Sequence, residues 1–199
     1  MGPGLVLLAA LSSVGTSEGE PPAPAPAIGG ASPSRGWVGL QDRSVWGLAA
    51  KNATQDYGAD VLAGLWLLHE QLQPIVDIGW SRVFGQNNGA SIDTFRAGGK
   101  VGGGYSLAGG SLWLGGTVGV VVQTGWLHIT GTSLAWAASP SVSGLLQARF
   151  ARRLLVGAEV GVEHSIPALQ WGAYSVFNGF RLQLGLQLGV ILGDAISGS

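Results

Sequence analysis

The stretch Phe180–Leu192, reading F-R-L-Q-L-G-L-Q-L-G-V-I-L, constrains this chain more than any other. Leu182, Leu184, Leu186, Leu188, Val190 and Leu192 share one parity. Arg181, Gln183, Gly185, Gln187 and Gly189 share the other, and only Ile191 breaks the pattern. Successive side chains of a strand point to opposite faces, so the alternation predicts a strand with one apolar face and one polar or minimal face. A helix would spread the leucines around its circumference. What lies against the apolar face, lipid or protein core, then decides what the chain does.

Composition narrows the choice. Only 11% of the 199 residues are charged, against about 25% in an ordinary soluble domain. The surface is therefore short of charge. The 35 glycines follow no G-X-Y period, which excludes collagen. A net charge of −1 offers no footprint for nucleic acid. The absence of cysteine excludes disulfides, thiol catalysis and zinc–thiolate sites.

The N-terminus carries a short apolar run, Leu5–Leu11, followed by small residues from Ser12 to Ser17. The run is too short to span a bilayer as a helix and reads as a signal peptide within residues 1–19, although no Lys or Arg precedes it. Residues 20–35 hold five of the nine prolines and read as an extended linker. The barrel is expected over residues 36–193, with a tail at 194–199.

Eight strands can be laid out, within residues 36–50, 57–69, 74–84, 92–107, 111–127, 141–150, 154–163 and 174–192. The intervening connections alternate long and short, the Gly109-Gly110 dipeptide suiting a tight turn. Strands of this length suffice to cross a bilayer when tilted. One face carries Val76, Ile78 and Trp80, then Phe95, Ala97, Val101, Tyr105 and Leu107. Leu112, Leu114, Val118, Val120 and Val122 continue it, followed by Leu154, Val156, Ala158, Val160 and Val162. Strand two is nearly all apolar and cannot be oriented, and Trp66 and Trp113 fit neither face cleanly.

The other face mixes glycine with long polar side chains. A face in water would carry far more charge, about 25–35%. The polar set Asp77, Arg96, Lys100, Arg149, Glu159, Glu163 and Arg181 is instead expected to point into a narrow lumen. Its four cations and three anions nearly balance there, as burial requires. An eight-stranded barrel is just wide enough for side chains to fill it. Aromatic residues near strand ends (Tyr57, Phe84, Phe95, Trp126, Trp136 and Tyr174 toward the longer loops, Tyr105 and Phe150 toward the short turns) suit interfacial girdles.

From about residue 36 to 192 the chain resembles the small outer-membrane β-barrel proteins of Gram-negative bacteria. Its last strand is similar to their insertion signal, polar-x-Gly-x-x-apolar-x-apolar, at Gln183, Gly185, Leu188 and Val190, although the chain ends on serine where many members end on an aromatic residue. The resemblance implies an all-β, eight-stranded antiparallel up-and-down transmembrane barrel. It also implies contact with outer-membrane lipid and with the barrel-assembly machinery during insertion. A monomer is expected, with a structural or interaction role carried by surface loops.

Catalytic and metal sites are not evident. Glu163-His164-Ser165 places its His and Ser on opposite faces of a regular strand, which does not suit a base and its nucleophile. The spacing also departs from that of lipid A deacylases, the barrel enzymes such a triad would suggest. His69 and His128 stand alone, where a metal needs three or four convergent ligands. Gly98-Gly99-Lys100 and Gly102-Gly103-Gly104 lack phosphate-loop spacing. No cofactor is expected. Two alternative readings remain: a soluble, lipocalin-like carrier with the leucines turned inward, and a lipid-modifying barrel enzyme.

Overall fold

Period-two alternation leaves each strand with one face that must find lipid or core, and a sheet with no free edge satisfies every backbone ladder. The chain solves both by closing on itself. In a computed structural model that describes residues 35–48, 54–85, 91–127, 133–150, 153–166, 170–171, 174–175 and 179–192, eight long strands form one closed antiparallel barrel. They are β1 (Arg35–Gly47), β2 (Thr54–Trp66), β3 (Leu72–Gly85), β4 (Ser91–Leu107), β5 (Leu112–Leu127), β6 (Ser133–Phe150), β7 (Leu154–His164) and β10 (Phe180–Leu192). A two-stranded ribbon, β8 (Gln170–Trp171) with β9 (Tyr174–Ser175), lies between β7 and β10. Each long strand pairs with its neighbour in the chain, and β10 closes on β1 from Gly36↔Leu192 to Gly47↔Arg181.

Most boundaries fall within about three residues of the sequence reading, and two differ by more. The sixth strand begins at Ser133, not Ser141. Pro140, which looked like the end of a loop, lies inside β6 opposite Val120. The N–H of Ala138 faces Ile166 of the β7 side, so Pro140, of the same parity, lacks its donor on that side only. The β6–β7 ladder stops at Ser141↔Glu163 and resumes as one bridge at Ala138↔Ile166, while β5 stays fully paired. The last strand begins at Phe180, not Tyr174, because Tyr174 belongs to the small ribbon.

These shifts change the loops. The expected long–short alternation weakens, since the β5–β6 connection is only 128–132 and the single long connection is 165–179, between β7 and β10. The turn after β4 has Gly109 and Gly110 at φ +66° and +88°, conformations that glycine adopts without penalty. The turn after β2 is less ordinary. Leu68, His69 and Glu70 all have left-handed φ (50°, 56° and 68°), each costing about 1–2 kcal/mol. Arg35, expected as the last residue of the linker, begins β1 instead. The leader, the rest of the linker and the tail beyond Leu192 lie outside the described residues.

Facing is clear along the wall. Leu184, Leu186, Leu188, Val190 and Leu192 point outward and are exposed, while Arg181, Gln183, Gly185, Gln187 and Gly189 point inward and are buried. The apolar sets of β3, β4, β5 and β7 point outward with them. This is the reverse of a lipocalin-like interior, where the apolar face would surround a ligand. β2, which the sequence could not orient, turns Asp56, Asp60, Leu62 and Trp66 inward and Val61 and Leu65 outward.

Candidate functional site

The lumen has two differently built zones. Toward the loops and mid-barrel it is ionic. Arg43 donates through Nε to Asp60 Oδ2 at 3.0 Å and through Nη1 to Asp56 Oδ2 at 3.4 Å. Arg96 Nε lies 3.7 Å from Asp60 Oδ1 and 3.8 Å from Asp77 Oδ1. Lys100 Nζ donates to Glu159 Oε1 at 2.7 Å, and that carboxylate also accepts from Ser143 Oγ (2.6 Å) and Gln41 Nε2 (2.9 Å). Arg181 Nη2 is 2.5 Å from Glu163 Oε1 and 2.8 Å from Gln123 Oε1. Lys100 and Glu159 are both paired and hydrogen-bonded, whereas Arg96 and Asp77 make ion-pair contacts without a hydrogen bond among the described residues. Opposite charge at close range is what offsets the burial.

Glycine makes the room. At Gly79 a Cβ would overlap the Asp60 carboxylate, and at Gly185 it would overlap the Gln41 amide. The inward glycines noted in the sequence are thus the spaces that the charged and amide side chains occupy.

At the short-turn end the lumen is apolar. Trp37, Leu62, Trp66, Ile75, Trp113, Leu145, Leu155 and Ile191 form one buried cluster. Its indole N–H groups are satisfied. Trp113 Nε1 donates to the Glu70 carbonyl at 2.7 Å. Gln73, with its amide oriented by the hydrogen-bond network, accepts from Trp37 Nε1 at 2.8 Å and Trp66 Nε1 at 3.0 Å. Gln147 Nε2 donates to Gln187 Oε1 at 3.1 Å nearby. At the rim, Arg149 lies 4.1 Å over the Trp66 ring and donates to Glu70 Oε1 at 2.7 Å, while Ser106 donates to Glu70 Oε2 at 2.5 Å. Burial raises the Glu70 carboxyl, but the hydrogen bonds from Arg149 and Ser106 and the nearby positive charge outweigh it and hold the group below the usual carboxylate range.

The polar residues singled out in the sequence therefore fall in two places. Asp77, Arg96, Lys100, Glu159, Glu163 and Arg181 are buried together in the ionic zone. Arg149 is apart from them, on the turn-side rim with Glu70. The sequence reading missed Arg43, Asp56 and Asp60, which raise the buried ionic set to four cations and five anions. They lie on β1 and β2, the strands whose two faces are both mixed. Of the insertion-signal positions, Gln183 and Gly185 face inward and Leu188 and Val190 outward.

Outside, Tyr57, Trp80, Phe84, Phe95, Trp136 and Phe180 are exposed toward the loop side, and Tyr105 and Phe150 toward the short turns. Tyr57 and Phe84 pack edge-on, 6.2 Å between centroids. Arg82 pairs with Asp93 at 2.8 Å and lies 5.7 Å over Trp80. The side chains of Trp126 and Tyr174, and all of His128, lie outside the described residues. His164 stacks on Phe180 (4.7 Å), whereas the Ser165 hydroxyl meets that of Ser139 at 3.1 Å. The two do not form a base–nucleophile pair. His69 is exposed in the β2–β3 turn. Among the described residues no three acidic or histidine side chains converge on a metal site.

No family model matches the chain, and no curated protein matches it in sequence. Solved structures do match in three dimensions. Neisserial surface protein A aligns with 10% identity and a TM-score of 0.56, covering 82% of this chain and 99% of its own. Ail, the attachment invasion locus protein of Yersinia pestis, solved in complex with the heparin analogue sucrose octasulfate, aligns with 11% identity and a TM-score of 0.51, covering 80% and 97%. At such identities the likeness concerns architecture, and the chain has the closed eight-stranded antiparallel fold of these small outer-membrane barrels.

Proposed function

We propose that this protein is exported to the outer membrane, spans it as a monomeric barrel, and serves a structural or interaction role by presenting its loops from a rigid wall. One observation carries the reading: the outward face is apolar from the aromatic residues at one end to those at the other, while the strands turn their charges inward apart from Asp42 and the Arg82–Asp93 pair. In water such a belt would be an aggregation hazard, but in a bilayer it is the surface a barrel needs. The lumen is occupied by ion pairs and indoles, which supports a filled barrel rather than a general pore. Gln183, Gly185, Leu188 and Val190 would then serve recognition of β10 by the barrel-assembly machinery. The function, on this reading, lies in the loops and not in a catalytic centre.

Membrane fractionation with electrophoresis of unheated and boiled samples tests this. Recovery in the outer membrane with a heat-dependent change of mobility is expected. Recovery as a soluble periplasmic species would overturn it.

A further inference from the structure

Asp42 is on the unexpected side of the wall. β1 turns Gln41 and Arg43 inward and Val38, Leu40, Asp42, Ser44 and Trp46 outward, and Asp42 is exposed. Its ladder neighbours are Ala59 on β2 and Leu186 on β10, and Leu40 and Leu186 beside it are 61% and 68% exposed. Trp46, four residues along the same strand, is at the loop-side end. With a rise of roughly 3.3 Å per residue and a tilt near 40°, Asp42 sits roughly 10 Å deeper, near the middle of an apolar band about 25 Å tall.

Nothing else on the described strands resembles it. Asp56, Asp60, Asp77, Glu159, Glu163 and the cations that pair with them point inward. The outward Arg82 and Asp93 are near strand ends and pair with each other. Asp42, among the described residues, has no salt bridge or side-chain hydrogen bond. A carboxyl group in hydrocarbon is costly, short enough on Asp that it cannot reach the interface, and retained where something pairs with it.

We propose that the β1–β10 face, centred on Asp42, is a lateral docking site for a membrane-embedded partner segment that presents a cation at mid-bilayer depth. The inference rests on the membrane reading above. Charge chooses the occupant. Acyl chains offer no donor, and lipid headgroups lie at the interface. A second copy related by a two-fold axis along the membrane normal would set one Asp42 against the other. The surface is also shaped for a neighbour. Asp42, Ser44 and Trp46 share a groove with Gly144, Ala158 and Leu186, where the small side chains leave space for a partner backbone. Ser44 and Trp46 add a hydroxyl and an indole beside Asp42 in a groove otherwise lined mainly by apolar side chains.

The test is in-cell photo-crosslinking on the full chain. A photoreactive residue replaces Leu186, beside Asp42, and a control probe replaces Val120 on β5, across the ring from β1. The Leu186 probe is expected to give one discrete protein adduct whose linked segment carries Lys or Arg at mid-membrane depth. Asp42→Leu and Asp42→Asn should each lower its yield about tenfold or more, the loss expected for one buried charge pair. Barrel abundance and heat-dependent mobility should stay unchanged, since both variants remove a charge from lipid. The Val120 probe should give lipid adducts. The proposal is overturned by lipid adducts alone at Leu186, by adducts between two copies, by a linked segment without a cation, or by a yield indifferent to Asp42. A wild-type chain absent from the membrane fraction would defeat the membrane reading itself, and the docking site with it.

Discussion

The two ends of the lumen fill the same narrow space by opposite means. Near the loops, Arg43, Arg96, Lys100 and Arg181 interleave with five carboxylates, and each side chain depends on a partner from another strand. Near the short turns, three tryptophans and their aliphatic neighbours pack as an ordinary core. The difference concerns how damage spreads. An apolar core loses roughly what is removed plus the cavity left behind. An ionic network also leaves a charge stranded in a low-dielectric space.

Glu159 tests that difference most severely. Its carboxylate accepts from Lys100, Ser143 and Gln41 at once. Glu159→Leu should destabilise the barrel by about 3–5 kcal/mol, because Lys100 is left buried without its partner. Adding Lys100→Met should restore most of the loss, since replacing a buried pair with apolar groups is often neutral. Urea unfolding in lipid vesicles, followed by the heat-dependent mobility shift, reads both variants. Additive losses would erase the proposed contrast between the zones.

Trp113 is the counterpart at the apolar end. Trp113→Ala should cost about 3–5 kcal/mol, mostly through the cavity and in part through the lost indole donor, and no second substitution of a neighbouring charge should rescue it. Trp113→Phe should cost about 1–2 kcal/mol, because it keeps most of the ring volume but leaves the Glu70 carbonyl without its donor. The same vesicle measurement separates the two.

The ease of reading the sequence divides along the same line. Where outward residues are apolar and inward ones polar, as along Phe180–Leu192 or in β7, alternation alone gives strand and facing. It fails where the lumen itself is apolar. Trp66, Trp113 and Ile191 break parity because they fill the turn-side core, and parity had equated apolar with lipid-facing. A signal was nevertheless present. A Cβ on Gly104 or Gly115 would meet the Trp113 ring, and one on Gly64 would meet Trp37, so inward glycines mark where a large inward ring lies. β1 and β2 hid Arg43, Asp56 and Asp60 for a related reason. Both faces of these strands are mixed, and Asp42 mimics an inward residue while pointing out. Pro140 misled through a sound rule, since a proline is tolerated in a strand only where one ladder is interrupted, and that interruption is visible only once β7 is in place.

A smaller effect is expected from the glycines that admit the ionic side chains. Gly185→Ala puts a methyl group into the Gln41 amide, which in turn holds Glu159. Overpacking of this kind costs about 1–3 kcal/mol. Gly144→Ala, outward on β6 with its nearest neighbour atom at 3.9 Å, should change stability little. Equal losses at the two positions, measured by vesicle unfolding, would show that strand curvature rather than the lumen sets the demand for glycine.

Glu70 asks whether an ion pair at the apolar end behaves like those of the ionic zone. It sits at the rim, partly open to solvent, in the turn whose left-handed residues it helps to hold. Its carboxyl titrates below the ordinary range when folded, so the folded state binds its proton more weakly than the unfolded chain does. Its stabilising contribution is therefore complete above the unfolded value, about 4.3, and fades as pH falls through the lower folded value. Glu70→Gln should cost no more than about 1 kcal/mol at neutral pH, given solvent screening at the rim. The gap between wild type and variant should close in acid. Unfolding midpoints measured from pH 7 down to 3 read it directly. No gap at any pH would instead assign the role of Glu70 to its backbone carbonyl, which accepts from Trp113 in either variant, and to the shape of the turn. The carboxylate would then be incidental, and the turn-side end of the lumen would hold together without any ionic contribution.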